Sequence, residues 1–229
     1  MRPTNSAPAT PNFSGQNGIT HSEFSTAETT ILHGAQLWYA FPDRARDTPP
    51  GFQSHRPEVL EGEGWTARVF LGSLLGSTSP VRTHLPLTGA ELRLEPGAEM
   101  VISVPTDHEH GILAVSGSVS VDGVDVPSAH LAVVGTGRAE FTVVAGDEPV
   151  IALVIGGEPL GERIVMWWNF IGRSHEEIVE MRADYMREMG FEDAEGNPVD
   201  DLRFGPFPAD TPAPLPAPEL PTVRILPRG

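Results

Sequence analysis

The stretch "SVSVDGVDVP", residues 118–127, sets Val119 and Val121 on one side of Asp122-Gly123 and Val124 and Val126 on the other. Asp-Gly supplies the positive φ angles of a type I′ turn, and apolar residues alternate on both flanks, so the stretch predicts a β-hairpin. Similar segments lie on either side of it. Upstream are "WTARVFLGSLLG", "AELRLEP", "EMVISVP" and "GILAVSG"; downstream are "HLAVVG", "AEFTVVA" and "PVIALVIGG". Turn residues punctuate this run, from residue 65 to 156, every ten residues or so. That is the pattern of an all-β sandwich or barrel.

Composition agrees with a turn-rich β protein. The 229 residues include 24 Gly and 23 Pro, and the length allows one large domain or two small ones with a real core. The net charge is −16 and the 15 basic residues are scattered. Direct nucleic-acid binding and anionic membranes are therefore not expected, because phosphate recognition needs clustered Lys and Arg. The chain has no cysteine, which excludes disulfides, thiolate nucleophiles and Cys-ligated zinc. Any metal must bind through His and carboxylates. No apolar run has the length of a membrane span, and the first residues lack a secretory h-region, so a cytoplasmic protein is expected.

Outside the strand-rich core, residues 1–14 read as a disordered, Pro-containing leader. "GITHSEF" and "TTILHGAQLWYAFP" read as two strands, the second with Gly34 at a bulge or close approach and Pro42 at its end. "PDRARDTPPGFQSHRPE" reads as a loop. One helix is expected in "SHEEIVEMRADYMREMG". Ser174 and Glu177 form an S-x-x-E capping box, Gly190 provides the stop, and Ile178, Met181, Tyr185 and Met189 mark one face. An acidic region and the polyproline-II-like "TPAPLPAPELP" follow.

Three His-x-(His/Glu) pairs are candidate metal donors: His21/Glu23, His108/His110 and His175/Glu177. Residues i and i+2 face the same way only on a strand. His175/Glu177 fall in the first helical turn, where they diverge, and are rejected as a site. His108/His110 precede "GILAVSG", but Ala114 and Val115 stand where a β-barrel metal site needs a Glu. His130 has no partner, and these histidines are expected to face solvent at a barrel mouth. His21/Glu23 lie on an expected strand, and a His with a carboxylate suits Fe(II), Mn, Ni or Zn. Trp167 and Trp168 read as packing residues. Neither a Gly-x-Ser-x-Gly nucleophile nor a Gly-rich phosphate loop is present.

"NGITHSE", "LHGAQLWYAFP", "SPVRTHLPL", "GEPLGERIVMWWNFIGRSHEEI" and the closing "LPAPELPTVRILPRG" together resemble the pirin family, in particular its actinobacterial-type members. The resemblance runs in order from about residue 15 to the end. It implies an all-β cupin fold, normally two barrels face to face. It further implies one divalent metal, usually iron, held in the N-terminal barrel by an H-x-H pair and the His and Glu of HSE.

Carried onto this chain, His21 and Glu23 match the HSE ligands, with Glu23 as both ligand and catalytic base. The H-x-H pair has no counterpart ahead of them. Residues 15–60 are thus expected to be a remnant of the N-terminal cupin domain, exposing Ile31, Leu37 and Trp38. Residues 65–165 are expected to form the C-terminal cupin barrel, and 166–229 the helix and tail. The resemblance implies either quercetin 2,3-dioxygenase chemistry on a flavonoid-like aromatic small molecule or metal- and redox-responsive binding to a protein partner. With two donors in hand the expectation is an incomplete metal site, with weak or no catalysis unless another donor such as a rearranged His33 joins it.

Overall fold

The computed structural model describes residues 12–13, 30, 34–49, 51–192, 202–204 and 212–229. Residues Gln53–Leu160 form one compact unit, and the described residues of Phe13–Phe52 and Gly161–Gly229 form a second.

The first unit is built from two large antiparallel sheets and a small hairpin, Ser73–Leu74 with Ser77–Thr78. One has six strands in the order Leu131–Val134, Glu109–Ser116, Val150–Gly157, Leu87–Leu94, Trp65–Leu71 and Leu60–Gly62. The other has four: Val124–Val126, Val119–Val121, Glu140–Ala145 and Glu99–Ser103. Alternation along each strand decides which side chains meet between the sheets. Met100 and Ile102 turn inward while Glu99, Val101 and Ser103 are exposed. Phe141, Val143 and Ala145 do the same on their strand, as do Ala90, Leu92 and Leu94 on theirs. Together with Ala67, Val69, Ile112, Ala114, Val150, Ala152 and Val154 they make one continuous core.

The hairpin at residues 119–126 forms as its sequence predicts. Val121 pairs with Val124 and Val119 with Val126, and Asp122 and Gly123 take φ of 48° and 81°. The Asp122 carboxylate accepts the Thr142 N–H at 2.8 Å and pairs with Arg138, tying the turn to the neighbouring strand. The Thr142 N–H, with Arg138 adding to it, holds this carboxyl below the usual aspartate range.

In the second unit a hairpin, Val165–Trp167 with Phe170–Gly172, packs against the helix His175–Glu188. Val165, Phe170, Ile178, Met181, Tyr185, Met186 and Ala217 form its core, with Trp167, Trp168 and Met189 partly buried against it. The expected helical face is therefore the packed face. Ser174 accepts the Glu177 N–H at 3.2 Å, and Gly190 follows the end at φ 75°. The reciprocal half of the capping box differs from expectation. The Glu177 carboxylate accepts from the Arg173 N–H at 2.9 Å and from the Arg46 guanidinium at 2.5 Å, which draws it away from the N-cap.

Two expectations for the N-terminal region need correction. Residues 34–42 carry no strand, where their sequence predicts part of one. The apolar run there is short of alternating residues, and Leu37 and Trp38 are 43% and 42% exposed. What holds its C-terminal end is polar. Arg173 donates to the Phe41 carbonyl and to Glu162, each at 2.6 Å, and Glu162 accepts the Asp43 N–H at 3.0 Å. Within the stretch read as a disordered leader, Asn12–Phe13 is a two-residue strand. The strand Leu60–Gly62 joins the six-stranded sheet ahead of residue 65, and Val165–Trp167 belongs to the second unit.

Candidate functional site

His21 and Glu23, the HSE donors, lie outside the described residues, as does His33. Among the described residues no three His, Asp or Glu side chains converge in a way that could hold a metal ion. His175 and Glu177 point to different partners. His175 Nδ1 accepts the Ile225 N–H at 3.2 Å, while Glu177 is engaged by Arg173 and Arg46. Burial pushes the Glu177 carboxyl up, but the Arg173 N–H and the Arg46 guanidinium outweigh it and leave the group below the usual glutamate range.

The His108/His110 pair departs from its expected exposure. His110 is only 2% exposed. It occupies the strand Glu109–Ser116, whose residues 110, 112 and 114 are buried in alternation with 109, 111 and 113. The face that carries Ile112 and Ala114 into the core therefore carries the imidazole in too. Sequence reasoning placed both histidines at a solvent-facing mouth because it started the strand at Gly111. Adding Glu109 and His110 to the strand puts His110 in phase with the core.

Three features surround this imidazole. The Phe141 ring lies 5.8 Å away, centroid to centroid, at 45°. Gly156 is its cross-strand partner, and a Cβ on Gly156 would sit 3.0 Å from the imidazole Cδ2 and collide with the Glu109 carbonyl. His108, half-buried, has its ring centre 6.0 Å from that of His110. Among the described residues, neither ring nitrogen of His110 nor Nδ1 of His108 has a hydrogen-bond partner, although all three atoms are buried. An unsatisfied buried polar group costs about 1–3 kcal/mol. Burial, and then the neighbouring His108, push the His110 pKa below the ordinary histidine value of 6.5.

Gly117 follows this strand at φ 71°. A side chain there would also press on the Pro149 carbonyl at 2.8 Å. The turn after the histidine strand is thus reserved for glycine.

No helix among the described residues is long and apolar enough to cross a membrane. The comparisons with known proteins converge on one family. The profile of the pirin C-terminal cupin domain matches residues 89–192. A Pseudomonas aeruginosa protein, provisionally named as a quercetin 2,3-dioxygenase, is 34% identical over 207 residues, which is 90% of this chain and 61% of that protein. A protein of Arabidopsis thaliana, provisionally named as pirin-like, is 31% identical over 185 residues, covering 76% of this chain and 67% of its own.

Among solved structures, quercetin 2,3-dioxygenase from Acinetobacter baumannii superposes with a TM-score of 0.68 at 31% identity. The match covers 81% of this chain and 58% of that one. The chain spans about three fifths of the length of the Pseudomonas relative it matches. The two-sheet barrel is a cupin fold, and the matched residues run from its strands through the capped helix. With family profile, relatives and fold in agreement, this chain belongs to the pirin family.

Proposed function

We propose that this pirin-family cupin uses His21 and Glu23 as an incomplete donor set for one divalent metal ion, iron by the resemblance of its HSE motif. In this reading, flavonol oxygenation by these residues alone is weak or absent, and the protein is cytoplasmic. What supports it is the HSE motif itself, in a chain whose match to the pirin family covers both its cupin barrel and its capped helix. Catalytic metal sites normally rest on three protein ligands with a further open position, so two donors hold an ion weakly. When bound, the metal would supply Lewis-acid polarisation of a substrate oxygen. Glu23 would accept the proton of an aromatic hydroxyl, and His21 would hold its neutral, lone-pair-donating form toward the ion.

A second reading is a working metal-dependent quercetin 2,3-dioxygenase acting on a flavonoid-like molecule. The similarity to the Pseudomonas and Acinetobacter proteins, named as quercetin 2,3-dioxygenases, favours it. It requires donors in addition to residues 21 and 23.

Metal analysis of the purified chain, with Glu23→Ala beside it, tests the first reading. Iron well below one equivalent is the expected result. Near-stoichiometric iron that disappears in Glu23→Ala would overturn the incomplete-site assignment. Quercetin consumption by the iron-loaded chain, followed by its absorbance and abolished by Glu23→Ala, would establish the second reading in its place.

A further inference from the structure

We propose that the helix His175–Glu188 is a reader of polyproline-II segments whose resident ligand is the chain's own tail, and that a Pro-rich segment of a partner protein competes with that tail. The residues concerned all lie in the second unit, and none belongs to the metal reading of residues 21 and 23.

Pro212, Pro214, Pro216, Pro218 and Pro221 hold φ at about −65° and keep the residues between them extended. Such a segment winds into a left-handed helix of about three residues per turn. The contacts of the tail follow that period. Ala217 is buried and Leu220 is half-buried three residues on, whereas Leu215, Pro216, Pro218 and Glu219 are exposed. The carbonyls keep the same step. Tyr185 Oη donates to the Leu215 carbonyl at 2.6 Å, and Arg182 Nε donates to the Pro218 carbonyl at 2.7 Å. The two donors are themselves three apart on the helix and so share one face. Further along, Glu176 pairs with Arg224, and His175 Nδ1 accepts the Ile225 N–H at 3.2 Å. The tail therefore runs antiparallel to the helix.

The Tyr185 ring stands between Trp168 at 5.4 Å and Phe204 at 5.5 Å, centroid to centroid, each edge-on. Glu192 holds the Arg182 guanidinium at 3.0 Å. Pro-rich peptides are recognised between proteins in the same manner, by an aromatic-lined surface that takes the preformed helix. The ligand this surface selects has proline on both sides of a small, uncharged residue, because Ala217 enters the core that Ile178, Met181 and Tyr185 form.

The tail is held lightly. Its Leu215, Val223 and Leu226 side chains are exposed, and so is the Arg224–Glu176 pair, which contributes little. A segment with so few buried apolar contacts opens without global unfolding. Attachment to the same chain returns it, at an effective concentration on the order of millimolar.

The test titrates the full chain into a fluorescein-labelled peptide spanning residues 212–221 and follows anisotropy. The wild-type chain is expected to bind it weakly, because the tail competes. Two tail variants loosen the resident ligand and leave the helix unchanged. Pro214→Gly/Pro216→Gly frees φ at two exposed positions and should tighten peptide binding about fivefold. Ala217→Asp puts a charge at the buried position and should tighten it about tenfold or more. Adding Tyr185→Phe/Arg182→Gln to the proline variant removes both carbonyl donors and should weaken binding about tenfold. The peptide with Asp in place of Ala217 should bind none of the chains. Near-ultraviolet circular dichroism of the Trp168 and Tyr185 cluster shows that each variant keeps the second unit folded. Equal peptide affinity in the wild type and the proline variant would overturn the proposal. So would binding that persists without the Tyr185 and Arg182 donors, or a peptide that no chain binds.

Discussion

The His110 imidazole and Gly156 face each other across neighbouring strands, and a Cβ on Gly156 would stand 3.0 Å from the ring and 2.1 Å from the Glu109 carbonyl oxygen. The barrel thus carries inside its core a histidine with no hydrogen-bond partner among the described residues, with Phe141 at 5.8 Å and His108 at 6.0 Å.

Gly156→Ala is therefore expected to destabilise the barrel by about 2 kcal/mol or more, because the added methyl meets the Glu109 backbone as well as the ring. Urea unfolding followed by circular dichroism measures this. A midpoint equal to wild type would mean that the strand pair opens without cost.

Acid sensitivity should follow from His110. Its folded pKa lies below the ordinary value of 6.5, so the unfolded chain binds this proton first as pH falls. Stability from this group is undiminished above pH 6.5. It declines as pH drops from there toward the folded pKa, by at most about 1.4 kcal/mol per pH unit for one proton. The carboxylates act in a lower window. Asp122, Glu162 and Glu177 are held below their ordinary values of 3.8, 4.5 and 4.5, so their contribution is lost as pH falls below those values. Unfolding midpoints measured between pH 7 and 5 in about half-unit steps should show a slope in wild type that disappears in His110→Leu.

The hairpin turn offers a graded pair of variants. Asp122→Ala removes the acceptor of the Thr142 N–H and the partner of Arg138, and puts alanine at φ 48°. A loss of about 1–2 kcal/mol is expected, discounted for the exposed ion pair. Asp122→Asn keeps an acceptor oxygen and tolerates the left-handed region, so it should cost less than half as much. Equal losses in the two variants would show that the charge, and not the turn, carries the effect.

Ser174→Ala should destabilise the second unit by about 1 kcal/mol by orphaning the Glu177 N–H at the helix start. Near-ultraviolet circular dichroism, which reports the Trp167, Trp168 and Tyr185 cluster, follows this unit. No change in its melting midpoint would mean that Arg173 and Arg46, through Glu177, fix the helix start without the serine.

Much of the barrel was legible from residues alone because its signals are local. Alternation in "EMVISVP" and "AEFTVVA" identifies the inward faces, and Asp122-Gly123 tolerates the positive φ angles that the observed turn requires. The helix was legible for the same reason, through Ser174, Gly190 and the 3-4-4 spacing of its packed face. Local pattern misled where the deciding partner is distant in sequence. Residues 34–42 look like a strand, yet their backbone has no ladder, and Phe41 and Asp43 are held by Arg173 and Glu162 more than a hundred residues away.

His110 shows the division most clearly. The sequence by itself determined that a histidine would stand two residues from another at the head of an apolar strand. Whether that side chain faced water or the core depended on where the strand began and on what lay across from it. A one-residue change of phase reverses the face. The long-range pairing with Gly156 and the packing of Phe141 settled that question, because only the assembled sheets bring those residues together.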